Sequence, residues 1–562
     1  MESPFKLVPP LTILLENQLK INKFFFFATG ILLKYGIIIP NMALINIVLI
    51  IFSSIIYTLA VPNGIYSYGN LFFGFIALIP LFYVIFTSSK QKHAMIYSGI
   101  FGFLSSSLIY FWLLFFEDFS IWTLSGVAVA HTLYFLILGA FLYTAGKKNI
   151  FRPFIAAAIW VSYEYLKSIG YLGFPWNLAA HSAGIAPFVQ IADITGQWGI
   201  SFLIVLMNAM LLETMLVHNK SIIKSWIFTA LLFIGSISYG IYTNNTDIPW
   251  EKTLTVSVVQ QNADSWISGQ EMESIRKGQN LTRIELQESK VKPDLIVWSE
   301  NAFRYPYIEN SLRYTREPQG DPFVNFLGEV NTPILVGSPY ILDRKTMDAL
   351  NAVLLISPKG KIIEYYGKNH PVPFAENIPF WNLSIVSSFF KNVIGLNNQG
   401  WSIGKPNIIF KIPLSDGTTL NFGAPICFED SFPYISREFV KNGADLLINL
   451  SNDSWSKTVS GETQHLAAAR LRAIENRRVL IRSTNAGVST IIDPWGKMNY
   501  TLPLFESATF TATIPVYQKE SLTVYTIMGN WFPISLIFIL IIYLFYDVYI
   551  QKRRGYCNTP PR

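Results

Sequence analysis

A chain of 562 residues in which 51% are hydrophobic, 15% aromatic and only 14% charged is too apolar for an ordinary soluble protein, where about a quarter of residues carry charge. The formal charge of +7 does not point to nucleic acid, because Lys and Arg fall largely in loops beside apolar runs and in the tail at Lys552, Arg553 and Arg554, as in a membrane protein. Two cysteines, Cys427 and Cys557, are too few for a disulfide framework.

In chain order, 1–43 is an N-terminal extension. Its segment 21–39 is apolar but interrupted by Lys23 and Lys34 and ended by Pro40, so it is read as a retained interfacial helix, with a span as the alternative. Region 44–243 is a membrane domain with seven predicted spans, at 44–61, 70–88, 95–116, 122–145, 152–168, 195–217 and 225–243, each long enough at about 1.5 Å per residue to cross most of a hydrocarbon core. An eighth span, 530–549, opens the C-terminal segment 529–562. Loops holding Lys90 and Lys92, then Lys147, Lys148 and Arg152, then Lys220 and Lys224, alternate with loops lacking Lys and Arg. The positive-inside rule then puts both termini in the cytoplasm and 244–528 on the far side. Glu164 and Glu213 are the acidic residues well inside these spans, with no evident partner in their own helices.

Region 244–528 alternates strands and helices, the pattern of an α/β layer fold. Buried strands are predicted at 253–260, 294–298, 333–337, 351–356, 420–426, 445–450 and 479–483, with helices near 271–290, 433–442 and 461–476. Glu300 and Cys427 fall just past strand ends, where open α/β sheets place their chemistry. A lone cysteine at a strand end is ordinarily a small buried hydrophobe, and Glu429 and Asp430 beside Cys427 would raise its pKa. A functional thiol there needs a base and a cation; Glu300, ending a strand, and Lys368, in a proline-rich segment of the same domain, are each singly unremarkable surface charges but together form a Glu…Lys…Cys order.

These segments resemble a known family. The soluble part is similar to a nitrilase (carbon–nitrogen hydrolase) module in VVQQNADSW (258–266), VWSENA (297–302), YGKNHPVPFAENIP (366–379), ICFED (426–430), INLSNDSW (448–455), QHLAAARLRAIENRRVLIRSTNAG (464–487) and IIDPWG (491–496). With IWVSYEYLKS (159–168), GFPWN (173–177) and TGQWGISFL (195–203), the whole chain after about residue 44 resembles the apolipoprotein N-acyltransferases. The resemblance implies a multi-pass α-helical membrane domain carrying an αββα sandwich in the periplasm, in the inner membrane of a bacterium. It also implies Glu300 as general base, Lys368 as the cation for the oxyanion and Cys427 as nucleophile. Glu376 and Glu429 match acidic positions that orient the lysine and assist proton transfer, and Trp266 matches an aromatic that lines the path of the lipid. Three residues depart from the family pattern. Ser299 stands where Pro is usual, Ala375 where Gly is usual, and Phe428 where Tyr is usual, the last removing a hydroxyl from a substrate-binding position.

The implied partners are a phospholipid acyl donor, a diacylglyceryl apolipoprotein acceptor and the membrane, with the chain a monomer. No metal-ligand spacing and no phosphate loop is present, so no cofactor and no metal is expected. His465, Arg470, Arg472, Asn452, Asp453 and Asn485 are read as scaffold. The rival readings are a membrane-tethered amidase or hydrolase, in which water takes the acyl group, and an inactive lipid-binding or transport paralogue.

Overall fold

The computed structural model describes residues 42–557 except 116–119, 148–150, 218–219, 309–310, 347, 397 and 518–521. The predicted interfacial helix at 21–39 lies outside the described residues. Helices or helix pairs occupy the position of every other predicted span: α1 (Met42–Ala60), α2 (Leu71–Ile76) with α3 (Ile79–Thr87), α4 (Gln91–Ile109), α5 (Ser120–Gly146), α6 (Arg152–Lys167), α7 (Gln197–Leu216), α8 (Ser221–Asn244) and, at the C-terminal end, the helix Trp531–Cys557. Four of them, α1, α5, α7 and Ile222–Asn244 of α8, are long and apolar enough to cross a membrane by length and composition. Outward-facing Ile223, Ile227, Phe228, Leu231 and Ile234 are exposed along α8, an apolar face suited to lipid.

The two predicted intramembrane acids do have partners. Glu164 accepts from Trp160 Nε1 one turn back in its own helix (3.0 Å) and from the Ala179 amide (2.7 Å). Glu213 is paired with Arg152 Nε of α6 at 2.6 Å. The first partner is an indole and the second lies on another helix, so a search for opposite charges within one helix passes over both.

Beyond α8 the chain forms two six-stranded sheets. One runs β12-β1-β2-β3-β4-β5 and the other β11-β10-β9-β8-β7-β6. In the first, β1 (Trp250–Gln260), β2 (Leu295–Trp298) and β3 (Ile334–Asp343) are parallel. Parallel neighbours need crossovers, and α9 (Glu273–Ser289) and α10 (Phe323–Val330) supply them. In the second, β7 (Thr419–Gly423), β8 (Leu446–Ser451) and β9 (Leu480–Thr484) are parallel, linked by α11 (Pro433–Lys441) and α12 (Val459–Asn476). Antiparallel strands complete each sheet: β4 (Asp348–Ile356), β5 (Ile362–Gly367) and β12 (Ala508–Tyr517) in the first, and β6 (Ile409–Pro413), β10 (Thr490–Ile492) and β11 (Met498–Asn499) in the second.

Strand alternation sorts the core. Leu295 and Val297 of β2 join the cluster that includes Phe410, Phe422 and Ile448 of the other sheet. Ile296 and Trp298 face Ile275 and Phe326 of the covering helices. The order helix, sheet, sheet, helix is the expected αββα sandwich. All seven predicted strands are present, although the one drawn to residue 426 stops at Gly423, ahead of Pro425. The strands at 362–367, 409–413, 490–492, 498–499 and 508–517 were not anticipated, being short or edge-positioned and half exposed.

The sandwich is seated on the membrane helices through α12, which is buried over nearly its whole length. Gln464 Oε1 accepts from Trp112 Nε1 (2.8 Å), Trp176 Nε1 (3.1 Å) and Asn177 Nδ2 (3.2 Å). At the far end Arg477 is paired with Asp193 at 2.9 Å.

Candidate active site

Three connections and one strand converge at one end of the sandwich. The β2 strand ends at Trp298 and delivers Glu300; β4 carries Asn351; β5 ends at Gly367 and delivers Lys368; and the segment after β7 turns at Cys427 into a short 3₁₀ turn, Cys427–Ser431. Cys427 has φ +50°, a left-handed conformation costly for any residue with a Cβ. Asn449 Nδ2 holds this turn by donating to the carbonyls of Pro425 (3.1 Å) and Cys427 (3.2 Å). Such strain, held by the surrounding structure, is common at functional sites.

The predicted residues Glu300, Lys368, Glu376 and Cys427 meet. Lys368 Nζ lies 2.8 Å from Glu376 Oε2 and 3.5 Å from Glu300 Oε1. Glu300 also accepts from Asn351 Nδ2 (2.8 Å) and from the Asn452 amide (2.8 Å), and its charge is felt at the Cys427 thiol. Glu300 is 3%, Lys368 1% and Cys427 6% exposed, so the three groups act in a medium where charges are felt strongly. Burial raises the Glu300 carboxyl above the ordinary range, with Lys368 opposing the rise. Burial would depress the Lys368 ammonium, but Glu376, Cys427 and Glu300 outweigh it and hold the pKa well above that of a free lysine. The Cys427 thiol is pushed well up, first by burial and then by the charge of Glu300.

Glu429 and Asp430, expected to raise that thiol, point elsewhere. Glu429 is fully buried and accepts from Tyr366 Oη (2.9 Å) and from the amides of Asn369 (2.7 Å), His370 (2.9 Å) and Ile426 (2.8 Å). It therefore ties the backbone after Lys368 to the backbone before Cys427. Burial lifts its pKa to about 7. Asp430 faces His465 Nε2 at 2.8 Å and Arg482, while His465 Nδ1 meets Asp453 at 2.9 Å.

Phe428 is buried, its ring 4.9 Å from Phe432, 5.9 Å from Trp176 and 6.3 Å from Phe174. The last two belong to the loop between α6 and α7, so the residue after Cys427 touches the membrane domain directly. Trp266 is 42% exposed, with the Arg304 guanidinium 3.6 Å above its ring and Trp401 6.5 Å away.

Sequence reasoning missed Asn351 and Arg482. The available signal was a polar residue inside an otherwise apolar buried strand, in ALNAVLLI (349–356) and in VLIRS (479–483), since such a group must be satisfied by something. Asn351 Nδ2 bridges Glu300 and Glu376 (3.0 Å). Among the described residues no cluster of His, Cys, Asp and Glu could hold a metal ion.

Residues 53–210 match the family described as Apolipoprotein N-acyltransferase N-terminal domain, and residues 255–521 match Carbon-nitrogen hydrolase. The chain is 39% identical to Apolipoprotein N-acyltransferase 2 of Treponema denticola over 90% of its length and 98% of that protein's. Identity is 34% to Apolipoprotein N-acyltransferase 2 of Treponema pallidum, covering 85% of this chain and 91% of that one. It is 32% to Apolipoprotein N-acyltransferase of Borreliella burgdorferi, covering 87% and 94%.

Proposed function

Since the chain belongs to the apolipoprotein N-acyltransferase family, we propose that it catalyses the family's last step of lipoprotein maturation by a ping-pong route through a thioester on Cys427. Glu300 takes the thiol proton as sulfur attacks the sn-1 ester carbonyl of a phospholipid. Lys368 stabilises the oxyanion that forms, and its ammonium, held charged by Glu376 and Glu300, needs no reorganisation to do so. The tetrahedral intermediate collapses, the C–O bond breaks, and Glu300 returns its proton to the departing lysophospholipid alkoxide. The α-amine of a diacylglyceryl-cysteine then attacks the thioester, loses its proton to Glu300 and expels Cys427, which recovers the proton as a thiol.

One observation carries this reading. The Glu300–Lys368–Cys427 cluster is sealed from water yet joined to the membrane domain through Phe428 and Trp176. Both substrates are lipids, and drawing an acyl chain into water costs about 0.8 kcal/mol per CH₂, which favours a catalytic module fixed at the bilayer. Glu376 and Asn351 act as positioning residues, Glu429 sets the two backbones, and Trp266 with Phe428 borders the substrate path. In this reading the chain lies in a bacterial inner membrane, with the sandwich periplasmic, both termini cytoplasmic and the chain monomeric.

The test is incubation of the purified chain with alkyne-labelled phospholipid, with and without an apolipoprotein. Label on the lipoprotein N-terminus supports transfer. Release of free fatty acid with no acylated protein would sink it in favour of a hydrolase, and absence of any adduct would favour an inactive paralogue.

A further inference from the structure

Four buried arginines of or beside α12, Arg470, Arg472, Arg477 and Arg478, have different company, Arg478 donating to the Arg477 carbonyl. Arg472 is paired with Glu475 and Arg477 with Asp193. Arg470, 8% exposed, donates instead to two carbonyls, from Nε to Gly496 and from Nη1 to Gly184, both at 2.6 Å. Among the described residues it has no carboxylate at ion-pair distance. Asp493 acts on it only from beyond ion-pair distance; a buried cation so weakly matched is costly, and the cost is relieved by an anion that binds beside it.

A second group points to the same place. His181, in the loop between α6 and α7, is 3% exposed and neither ring nitrogen has a hydrogen-bond partner. Leaving a buried polar group unmatched costs about 1–3 kcal/mol. Arg470 and His181 line one shallow depression, open to solvent, with Ser67 and Tyr68. None of Glu300, Lys368 and Cys427 lines it. Tyr68 is 49% exposed, and the neighbouring Ile65 and Ile185 are exposed at 73% and 77%, so the cationic and polar groups are buried with apolar side chains beside the mouth. A free anion has no use for that apolar border, whereas a phosphodiester carrying acyl chains matches both parts.

We infer that this pocket binds the phosphodiester of a membrane phospholipid as a resident lipid, separate from the acyl donor, with Arg470 as its cation and His181 as a hydrogen-bond donor. The lipid sits between the membrane-domain loop and α12. That same helix carries Gln464 and His465, which fix Trp176 beside Phe428, so the bound lipid seats the catalytic sandwich on the leaflet from which it draws substrate.

The test is native mass spectrometry of the full chain in detergent, in a Cys427→Ala background so that no bound lipid is consumed, supplied with phosphatidylglycerol, with diacylglycerol or with inorganic phosphate. The background chain retains phosphatidylglycerol. His181→Phe and Arg470→Gln each reduce the number retained by one, with affinity at that site falling at least about tenfold. Thermal unfolding establishes which variants fold, and if Arg470→Gln does not, His181→Phe decides alone. Unchanged retention in His181→Phe overturns the proposal. So does equal retention of diacylglycerol, which would make the site merely apolar, or stoichiometric binding of inorganic phosphate without phospholipid, which would make it a free-anion site.

Discussion

At Cys427, burial and the Glu300 carboxylate push the thiol pKa well up, so on the proposed mechanism the nucleophile is made only as the ester arrives and Glu300 takes that proton. Cys427→Ala is expected to lose the hydroxylamine-labile acyl adduct entirely, read by mass spectrometry of the labelled chain. Lys368→Met, which keeps an unbranched chain one atom shorter but not the charge, should slow adduct formation by about 100- to 1,000-fold, the usual scale for one oxyanion donor. The pH dependence follows from the base. Glu300 must be ionised to accept a proton and burial raises its pKa above 4.5, so adduct formation is poor in acid, rises with pH, and has its acid limb above the ordinary glutamate range. Asn351 favours the ionised form by donating to it. Asn351→Ala should therefore move that limb to higher pH, a displacement that loss of packing alone would not produce.

The helix α12 is the element on which both parts of the molecule depend. His465, in its first half, packs against Trp176 with ring centroids 5.1 Å apart and lies between Asp430 and Asp453. Burial opposes its protonation, but the two carboxylates outweigh it and raise its pKa to about 10. For a base whose folded pKa is raised, the stabilisation is complete below the ordinary 6.5 and fades as pH climbs through about 10. His465→Phe leaves two buried carboxylates facing Arg482 alone and should destabilise the chain by about 3–5 kcal/mol. Thermal unfolding across that pH window would read both effects, since the variant's midpoint should lose the dependence that the histidine supplies. Reading His465 and Asp453 as scaffold agrees with this geometry. The ion pairing itself was not legible, because its members are separated by up to 52 residues along the chain.

Across the whole molecule, the sandwich and the membrane helices share one continuous apolar core crossed by buried polar ties. Arg477 binds Asp193 Oδ2 and Gln190 Oε1, and the Gln197 amide donates to Glu475 at 3.0 Å. Asp193→Ala strands a buried guanidinium and is expected to cost about 3–5 kcal/mol, seen as increased protease sensitivity between α8 and β1 in detergent. The alternation of basic loops predicts that reporters fused after Thr243 and after Ile550 lie on opposite sides of the membrane. Same-side signals would undo that topology.

By itself, the sequence determined where the apolar runs lie, that a membrane domain precedes an α/β sandwich, and that Glu300, Lys368 and Cys427 stand past strand or loop ends in an order the family uses. Those features are local: run length, strand periodicity and short motifs are carried by adjacent residues. Only the tertiary structure decided that Glu376 and not Glu429 meets the lysine, that Asn351 bridges two carboxylates, and that Phe428 packs on the membrane loop. It also decided that Arg470 and His181 share a pocket although they are 289 positions apart in the chain. Each of these depends on which faces the two sheets and α12 turn toward one another; burial then sets the direction of the shift at Glu300 and Cys427, while the groups gathered around Lys368 outweigh burial there.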